Sequence, residues 1–434
     1  MSEKLKDQPT NRLIKMKICI IGGGINGLFS AYYLHQHGYD ITIVDQTNLS
    51  DSCSHGNAGM IVPSHIIPLA SPGMISKGLR WMLSSTSPFY VRPRLNLSLA
   101  KWGYLFYKNS TAAHVEKSIP ILRDLSLLSK NLYQDFQKQN YFDFGWHERG
   151  LLMAYQTTAP AHEEMEGAAI ANKAGIKAHV LNAAEVQALE PDTKINVLGG
   201  VFYPGDAQVN PNLLVAGLRN YLQSVGVKFF YNTEVIDFEI KNESVIGIIT
   251  IDKTKSSIVY RPSSIVISVG AWTEILTKKL GISIPLQGGK GYSMLFDGLG
   301  DKIKIPTIML EARATATPMG SSLRCAGTME IAGINTTINM NRVQGIVNGV
   351  NSFYPELKIT LPAKEKVWSG LRPCSPDGLP YIGRLKNLKN VTIATGHGMM
   401  GLSLGPATGK LVSEIIAHQN TSMNLEFLNP ERFG

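Results

Sequence analysis

Lys17-Ile18-Cys19-Ile20-Ile21-Gly22-Gly23-Gly24-Ile25-Asn26-Gly27 opens with an apolar run suited to a buried strand and passes into a glycine-rich turn. Ile25 to His37 then reads as a helix stopped by Gly38, and Tyr39 to Asp45 as a second strand closing on an acid. This is a βαβ unit with the G-x-G-x-x-G spacing at Gly22, Gly24 and Gly27. Gly22 permits a tight turn, Gly24 lets a pyrophosphate approach the backbone, and Gly27 lets the helix pack closely on the strand. The helix start, with Ile25 and Asn26, offers N–H groups and a partial positive charge to phosphates. Asp45, followed by Gln46, stands where a carboxylate binds ribose hydroxyls.

The same spacing recurs near the other end, at Gly396, Gly398 and Gly401, after the apolar run Val391 to Ala394 and before a helical stretch reaching about Ala417. Two such loops suggest one elongated cofactor held by two helix starts; an ordinary capped helix is the alternative for the second. Ile18 to Leu34 is uncharged but interrupted by glycines and Asn26, and falls short of the ~20 residues of a membrane span. Residues 1–17 are polar and charged, so no secretory signal is expected.

The chain has 434 residues, enough for two or three domains. Its four cysteines are scattered and its ten histidines show no ligand spacing. Neither a disulfide framework nor a metal site is expected, and a reducing cytoplasmic compartment is the default. Net charge is +9, unevenly spread: no acid lies between Asp51 and Glu116. Lys77, Arg80, Arg92, Arg94, Lys101 and Lys108 alternate there with Trp81, Phe89, Tyr90, Trp102, Tyr104, Phe106 and Tyr107. Such a segment either meets an anionic membrane surface or is a helical part of a substrate domain with core aromatics and solvated charges. No motif accompanies the charge to suggest nucleic acid.

Ser110 to Lys138 reads as one long helix or a broken pair, and Glu163 to Gly175 as a helix. Asn210-Pro211 starts a helix through about Ser224. Val227 to Val235 and Ser263 to Val269 read as strands flanking a hairpin-like region, and strand-like segments dominate Gly288 to Ile338. The expected class is α/β (α+β overall), with a discontinuous nucleotide domain at 1–61, 186–284 and 366–434 and a second domain at 62–185 and 285–365.

Further stretches carry chemistry: Ser52 to Met60, a small-residue loop after Asp45; Val266 to Trp272, a strand closing on Gly270; Trp368 to Pro380, containing Gly370-Leu371-Arg372-Pro373; and Thr395 to Gly409. With the first loop, these motifs in this order resemble the FAD-dependent D-amino-acid oxidase superfamily over nearly the whole chain. Within it, the pattern is most similar to bacterial D-amino-acid dehydrogenases, including the D-hydroxyproline type, with glycine and sarcosine oxidases as cousins.

The resemblance implies a Rossmann-like, glutathione-reductase-type FAD domain and an antiparallel-sheet substrate domain. It assigns the pyrophosphate to Gly22, Gly24 and Gly27 and the ribose to Asp45, where the family often has Glu. Cys53, Ser54, Asn57, Ala58, Gly59 and Met60 would line the flavin, Val235 would meet the adenine, and Gly270 and Trp272 the cofactor's middle. Gly370 lies in the flavin-side motif, at the position of the flavin-linked cysteine of sarcosine oxidases, while Cys374 lies elsewhere, so non-covalent FAD is expected. His397, Gly398, Met399, Met400, Gly401 and Leu402 would offer helix N-terminal amides to the flavin edge where negative charge collects after hydride transfer to N5.

Arg372 is the candidate for the substrate carboxylate, which a planar guanidinium matches with two parallel hydrogen bonds; the alternative is a structural pair with Asp377. His55 either packs at the ring or does acid–base work, and Tyr292 either contacts substrate or is a core tyrosine. The implied activity is oxidative deamination of a D-amino acid of proline, hydroxyproline or alanine type, with a quinone as acceptor. A soluble oxidase making hydrogen peroxide, a non-catalytic FAD-binding subunit and a nicotinamide enzyme are the alternatives.

Overall fold

The computed structural model describes residues 16–50, 52–81 and 89–434. Ile18–Ile21 are buried on both faces because their strand, Lys17–Ile21, sits inside a six-stranded sheet. The sheet order is Tyr381–Arg384, Val391–Thr395, Ser264–Ile267, Lys17–Ile21, Asp40–Val44, Lys228–Phe230. All pairs are parallel except the first, in which Tyr381–Arg384 runs antiparallel to its neighbour. Central strands of such a sheet are covered on both sides, which accounts for their unbroken apolar runs.

One face carries the helices Ile25–Gln36, Pro211–Ser224 and Gly405–Ile416, through Leu28, Phe29, Leu214, Leu218 and Val412. The other face packs on an antiparallel three-stranded sheet, Thr233–Lys241, Ser244–Asp252 and Ser257–Tyr260. First and last helices cross closely because Gly409 has no side chain: a Cβ there would fall onto the backbone of Phe29.

A nine-stranded mixed sheet forms the second layer. Its order runs Trp368–Cys374, Gln287–Asp297, Ser322–Ile331, Ala314–Met319, Thr307–Met309, Leu151–Tyr155, Gly199–Tyr203, His179–Asn182, with Phe89–Val91 beside Ser322–Ile331. Two of its pairs are parallel, Thr307–Met309 with Leu151–Tyr155 and Phe89–Val91 with Ser322–Ile331, so the expected antiparallel sheet is a mixed one. Helix Met340–Phe353 closes one face through Val343, Ile346, Val347 and Val350.

The sheets do not divide the chain at 186 and 366. Gly199–Tyr203 pairs with Leu151–Tyr155, and Trp368–Cys374 with Gln287–Asp297, so both join the nine-stranded sheet. Of two local expectations, the first resolves to one of its alternatives and the second changes. Ala112–Gln139 is one helix with Pro120 inside it. The segment 227–235 is not one strand: Asn232 takes a left-handed φ of 52° and its N–H bonds to Thr47 O. Lys228–Phe230 therefore stays in the parallel sheet while Thr233–Lys241 leaves it, and Thr233 N donates to Asp45 O.

Candidate active site

A cavity of about 1860 Å³ lies between the C-terminal ends of the parallel strands and the open face of the nine-stranded sheet. Open α/β sheets bind ligands at that edge. At one end, Gly22 has φ 100°, and a Cβ would stand 2.6 Å from Ser268 O. A side chain at Gly27 would strike Gly22 O, so Gly27 works behind the loop, outside the cavity wall. Gly24, Ile25 and Asn26 line the cavity. Ile25 N–H is already taken by Ser54 Oγ at 3.1 Å, so Ser54 caps this helix from another segment.

Asp45 lines the cavity with Gln46 and Val235. Its carboxylate accepts from Gly23 N (2.8 Å), Thr47 N (2.8 Å) and Thr47 Oγ1 (2.7 Å). A carboxylate has about four acceptor sites, so Asp45 has room for one further hydroxyl rather than two.

The loop 52–60 brings Cys53, Ser54, Asn57, Ala58 and Met60 to the cavity, whereas Gly59 sits behind it against Val209 and Met319. Leu371 N–H points to Cys53 Sγ at 3.5 Å, joining the loop to the Arg372 strand. His55 does not line the cavity: its Nδ1 accepts from Ser52 N at 3.1 Å and lies 3.0 Å from Ser52 Oγ. The ring turns back on its own loop, which argues against acid–base work. Gly270 and Trp272 line the cavity, with Gly270 O accepting from Thr273 and Thr395 hydroxyls.

The second glycine loop differs from the expected helix start. The helix begins only at Gly405, and residues 398–399 and 401–404 form turns before it. Tyr133 and Ser129 of the long helix donate to the Leu402 and Ser403 carbonyls at 2.7 and 2.6 Å. Among the described residues, the amides of Met399, Gly401 and Leu402 have no protein acceptor, and all three residues line the cavity with Gly398 and Met400. These three N–H groups are therefore presented to the cavity from turns rather than from a helix start.

His397 lies behind them, outside the wall. Asn26 Nδ2 donates to its Nδ1 at 3.1 Å, and its Nε2 bonds Thr408 Oγ1 at 2.9 Å. Those partners define a neutral imidazole, and burial pushes its pKa down to about 3. The two glycine loops are thus tied together through one histidine.

On the sheet side, Gly370 lines the cavity and gives room to the Trp368 ring, which also fills the space over Gly56. Tyr292 contributes its ring, but its hydroxyl donates to Glu330 Oε1 at 2.5 Å and accepts from Asn339 N at 3.1 Å. With the residue 1% exposed, Tyr292 is a core tyrosine.

Arg372 Nη1 donates to Thr328 O at 2.7 Å, and the guanidinium lies over Gly291 of the next strand. Burial lowers its pKa, yet arginine stays charged. Asp377 is not its partner: that carboxylate takes Arg432 Nε and Nη2 at 2.7 and 2.9 Å. Among the described residues no acid pairs with Arg372, and the residue lines the cavity. Thr328 presents its carbonyl from a bulge, where Tyr292 pairs Gly327 and Lys290 pairs Glu330. Its φ of 69° is strained for a β-branched residue.

The cavity's length, the glycine close approaches and the unsatisfied loop amides fit an extended dinucleotide with an anionic middle and a ring system at the arginine end. The family model of FAD-dependent oxidoreductases (DAO) matches residues 17–415. The chain belongs to this family. D-amino acid dehydrogenase of Helicobacter pylori is 31% identical over 404 residues, 93% of this chain and 95% of that one. D-amino acid dehydrogenase of Granulibacter bethesdensis is 29% identical, covering 94% and 97%. Among solved structures, glycine oxidase from Geobacillus kaustophilus superposes with TM-score 0.76 at 20% identity, covering 97% of this chain and all of that one. L-proline dehydrogenase from P. horikoshii gives 0.72 at 19% identity, covering 96% and 98%. These likenesses establish the fold of this FAD-dependent oxidoreductase.

Sequence reasoning missed Thr328, Tyr133 and Arg324. Only Arg324 left a signal, a lone cation in the apolar run Leu323–Ala326.

Proposed function

We propose that this FAD-dependent oxidoreductase oxidises a D-amino acid of the proline, hydroxyproline or alanine type and hands the electrons to a quinone. The observation that carries the reading is Arg372, a cation facing the cavity without a carboxylate of its own. Bound FAD, held non-covalently, supplies the hydride acceptor for the substrate Cα–H. Arg372 Nη1 stays on Thr328 O, and its remaining donors take the substrate carboxylate in a fork. The amides of Met399, Gly401 and Leu402 would hold the ring edge of the cofactor and would supply hydrogen-bond donors there for an anionic form. No side chain is needed as a base when the amine arrives neutral, consistent with His55 and Tyr292 being engaged elsewhere. In this reading the six-stranded sheet and its flanking layers hold the dinucleotide, and the nine-stranded sheet supplies the substrate wall. The preference for D-enantiomers is supported by the names of the relatives.

The quinone and a peripheral contact with an anionic membrane at the cytoplasmic face are supported by the basic-aromatic segment. Leu99, Trp102, Phe106 and Tyr107 line an arm of the cavity, and Tyr104 and Tyr107 are 59% and 68% exposed beside Lys101 and Lys108. Trp102 and Phe106 stack in the core, so only part of the segment faces out. Among the described residues no helix is long and apolar enough to cross a membrane.

Anaerobic mixing with a panel of D- and L-amino acids tests the activity: D-proline or D-alanine is expected to bleach the flavin band and the L-enantiomers are not. Reoxidation by a quinone analogue, with little peroxide under air, is the expected second result. Stoichiometric peroxide instead marks a soluble oxidase, and bleaching by no amino acid marks a binding subunit.

A further inference from the structure

Arg324 lies in the strand Ser322–Ile331, 3% exposed, between the fully buried Leu323 and Cys325. Its Nη1 donates to two backbone carbonyls of the loop 52–60, His55 O and Asn57 O, the latter at 2.8 Å. Its Nε is buried with no partner. No carboxylate among the described residues acts on it, and burial draws its pKa down to about 10, still above neutrality. Burying a cation away from acids is expensive, and two carbonyls only partly offset that. The loop it grips supplies Ser54, Asn57, Ala58 and Met60 to the cavity wall. Asn57 in turn accepts from Gly59 N at 2.8 Å and donates to Met399 O at 3.5 Å. One line of bonds thus joins the sheet, the small-residue loop and the second glycine loop.

We propose that Arg324 is a positioning residue for the FAD ring system, fixing the loop 52–60 against the sheet while its unneutralised charge makes the bound flavin a stronger oxidant. The inference rests on FAD occupying the cavity, and it goes beyond substrate recognition. The charge never contacts substrate; it acts through the Asn57 and His55 backbone and through the low-dielectric wall, where a fixed cation favours the negative charge a flavin acquires on reduction.

The test uses FAD-loaded R324M and R324K beside the parent, with FAD affinity, two-electron midpoint potential and sulfite affinity as readouts. Sulfite adds to oxidised flavin and leaves negative charge on the ring, so it reports the same electrostatics without turnover. R324M is expected to bind FAD about tenfold more weakly, and sulfite about tenfold more weakly in the molecules that keep FAD. The same factor in the reduction equilibrium is a potential about 30 mV lower. R324K, which keeps the charge without the planar fork, should return sulfite affinity and potential to parent values but recover FAD affinity only in part.

Parent-like sulfite affinity and potential in R324M overturn the proposal, whether or not FAD is loosened; with loosened FAD the arginine is only a clamp. Should R324M not fold, R324K decides: parent-like potential with loosened FAD supports the proposal. A lowered potential, or no change in any readout, refutes it. A parent protein that takes up no FAD would defeat the cofactor assignment itself, a different and visible failure.

Discussion

Replacing Arg372 by methionine keeps the volume of the side chain and removes its charge and fork. In the protein as folded, one of its donors is spent on Thr328 O and no acid neutralises it among the described residues, so the rest of the guanidinium is available to a ligand. Two hydrogen bonds between charged groups contribute roughly 1.5–3 kcal/mol each, about 3–6 kcal/mol together. At 1.36 kcal/mol per decade this corresponds to a fall of about 10²–10⁴-fold in kcat/KM. Arg372→Lys keeps the charge without the fork and should fall between parent and methionine variant. Anaerobic bleaching rates against substrate concentration give the ratio, with FAD content checked in each preparation. Oxidation of an amine lacking the carboxylate, such as pyrrolidine in place of proline, should be equally slow in parent and variant. A loss below about threefold in fully FAD-loaded Arg372→Met, small against the ~1.5 kcal/mol of even one such bond, would refute the carboxylate role.

Asp377→Asn leaves the mostly buried Arg432 guanidinium facing a neutral amide in place of its two-point ion pair. Denaturant unfolding should show a loss of about 3–5 kcal/mol, while bleaching per FAD-loaded molecule is unchanged because Asp377 is outside the cavity wall. Gly409→Ala inserts a methyl group where Phe29 backbone stands; overpacking of about 1–3 kcal/mol should lower the unfolding midpoint and loosen FAD, since the first glycine loop rides on that helix. His397 has a folded-state pKa near 3 against an ordinary value of 6.5. Between these values the unfolded chain binds the proton and the folded one does not, so this group's contribution is full above pH 6.5 and is lost as pH falls towards 3. Glu164 and Asp206, with carboxyls pushed up to about 7 by burial, act in the opposite sense as pH drops below 7. The difference between parent and His397→Gln unfolding curves isolates the histidine: the variant's stability should decline less steeply from pH 6.5 to 4, and parallel curves would contradict the buried neutral ring.

Legibility in the sequence followed how local the determining forces were. The turn at Gly22, the helix to Gln36 and the strand ending before Asp45 are set by residues within one βαβ unit, and their pattern carries them. The split at Asn232 was hidden because the strand's fate depends on Thr47 and Asp45, far away in the chain. The second glycine loop looked like a helix start because glycine and apolar residues fit both; Tyr133 and Ser129, from a helix far earlier, hold it as turns until Gly405. Arg372 stood out through its Gly370-Leu371-Arg372-Pro373 setting. Its freedom from Asp377 could not be read, because the competitor Arg432 comes only near the end of the chain. Tyr292 is a candidate by residue type and His55 by family resemblance, and their engagement with Glu330 and Ser52 depends on side-chain geometry that spacing does not encode.

The central claim is that one FAD spans both glycine loops and that Arg372 receives the substrate carboxylate at the ring end. A crystal structure of the FAD-loaded protein with a carboxylate inhibitor addresses it directly. The expected result is pyrophosphate at Gly22–Asn26, the flavin edge on the Met399, Gly401 and Leu402 amides, and two guanidinium–carboxylate contacts at about 2.7–2.9 Å from Arg372. A carboxylate bound away from Arg372, or a flavin ring that leaves those amides without an acceptor, would contradict it.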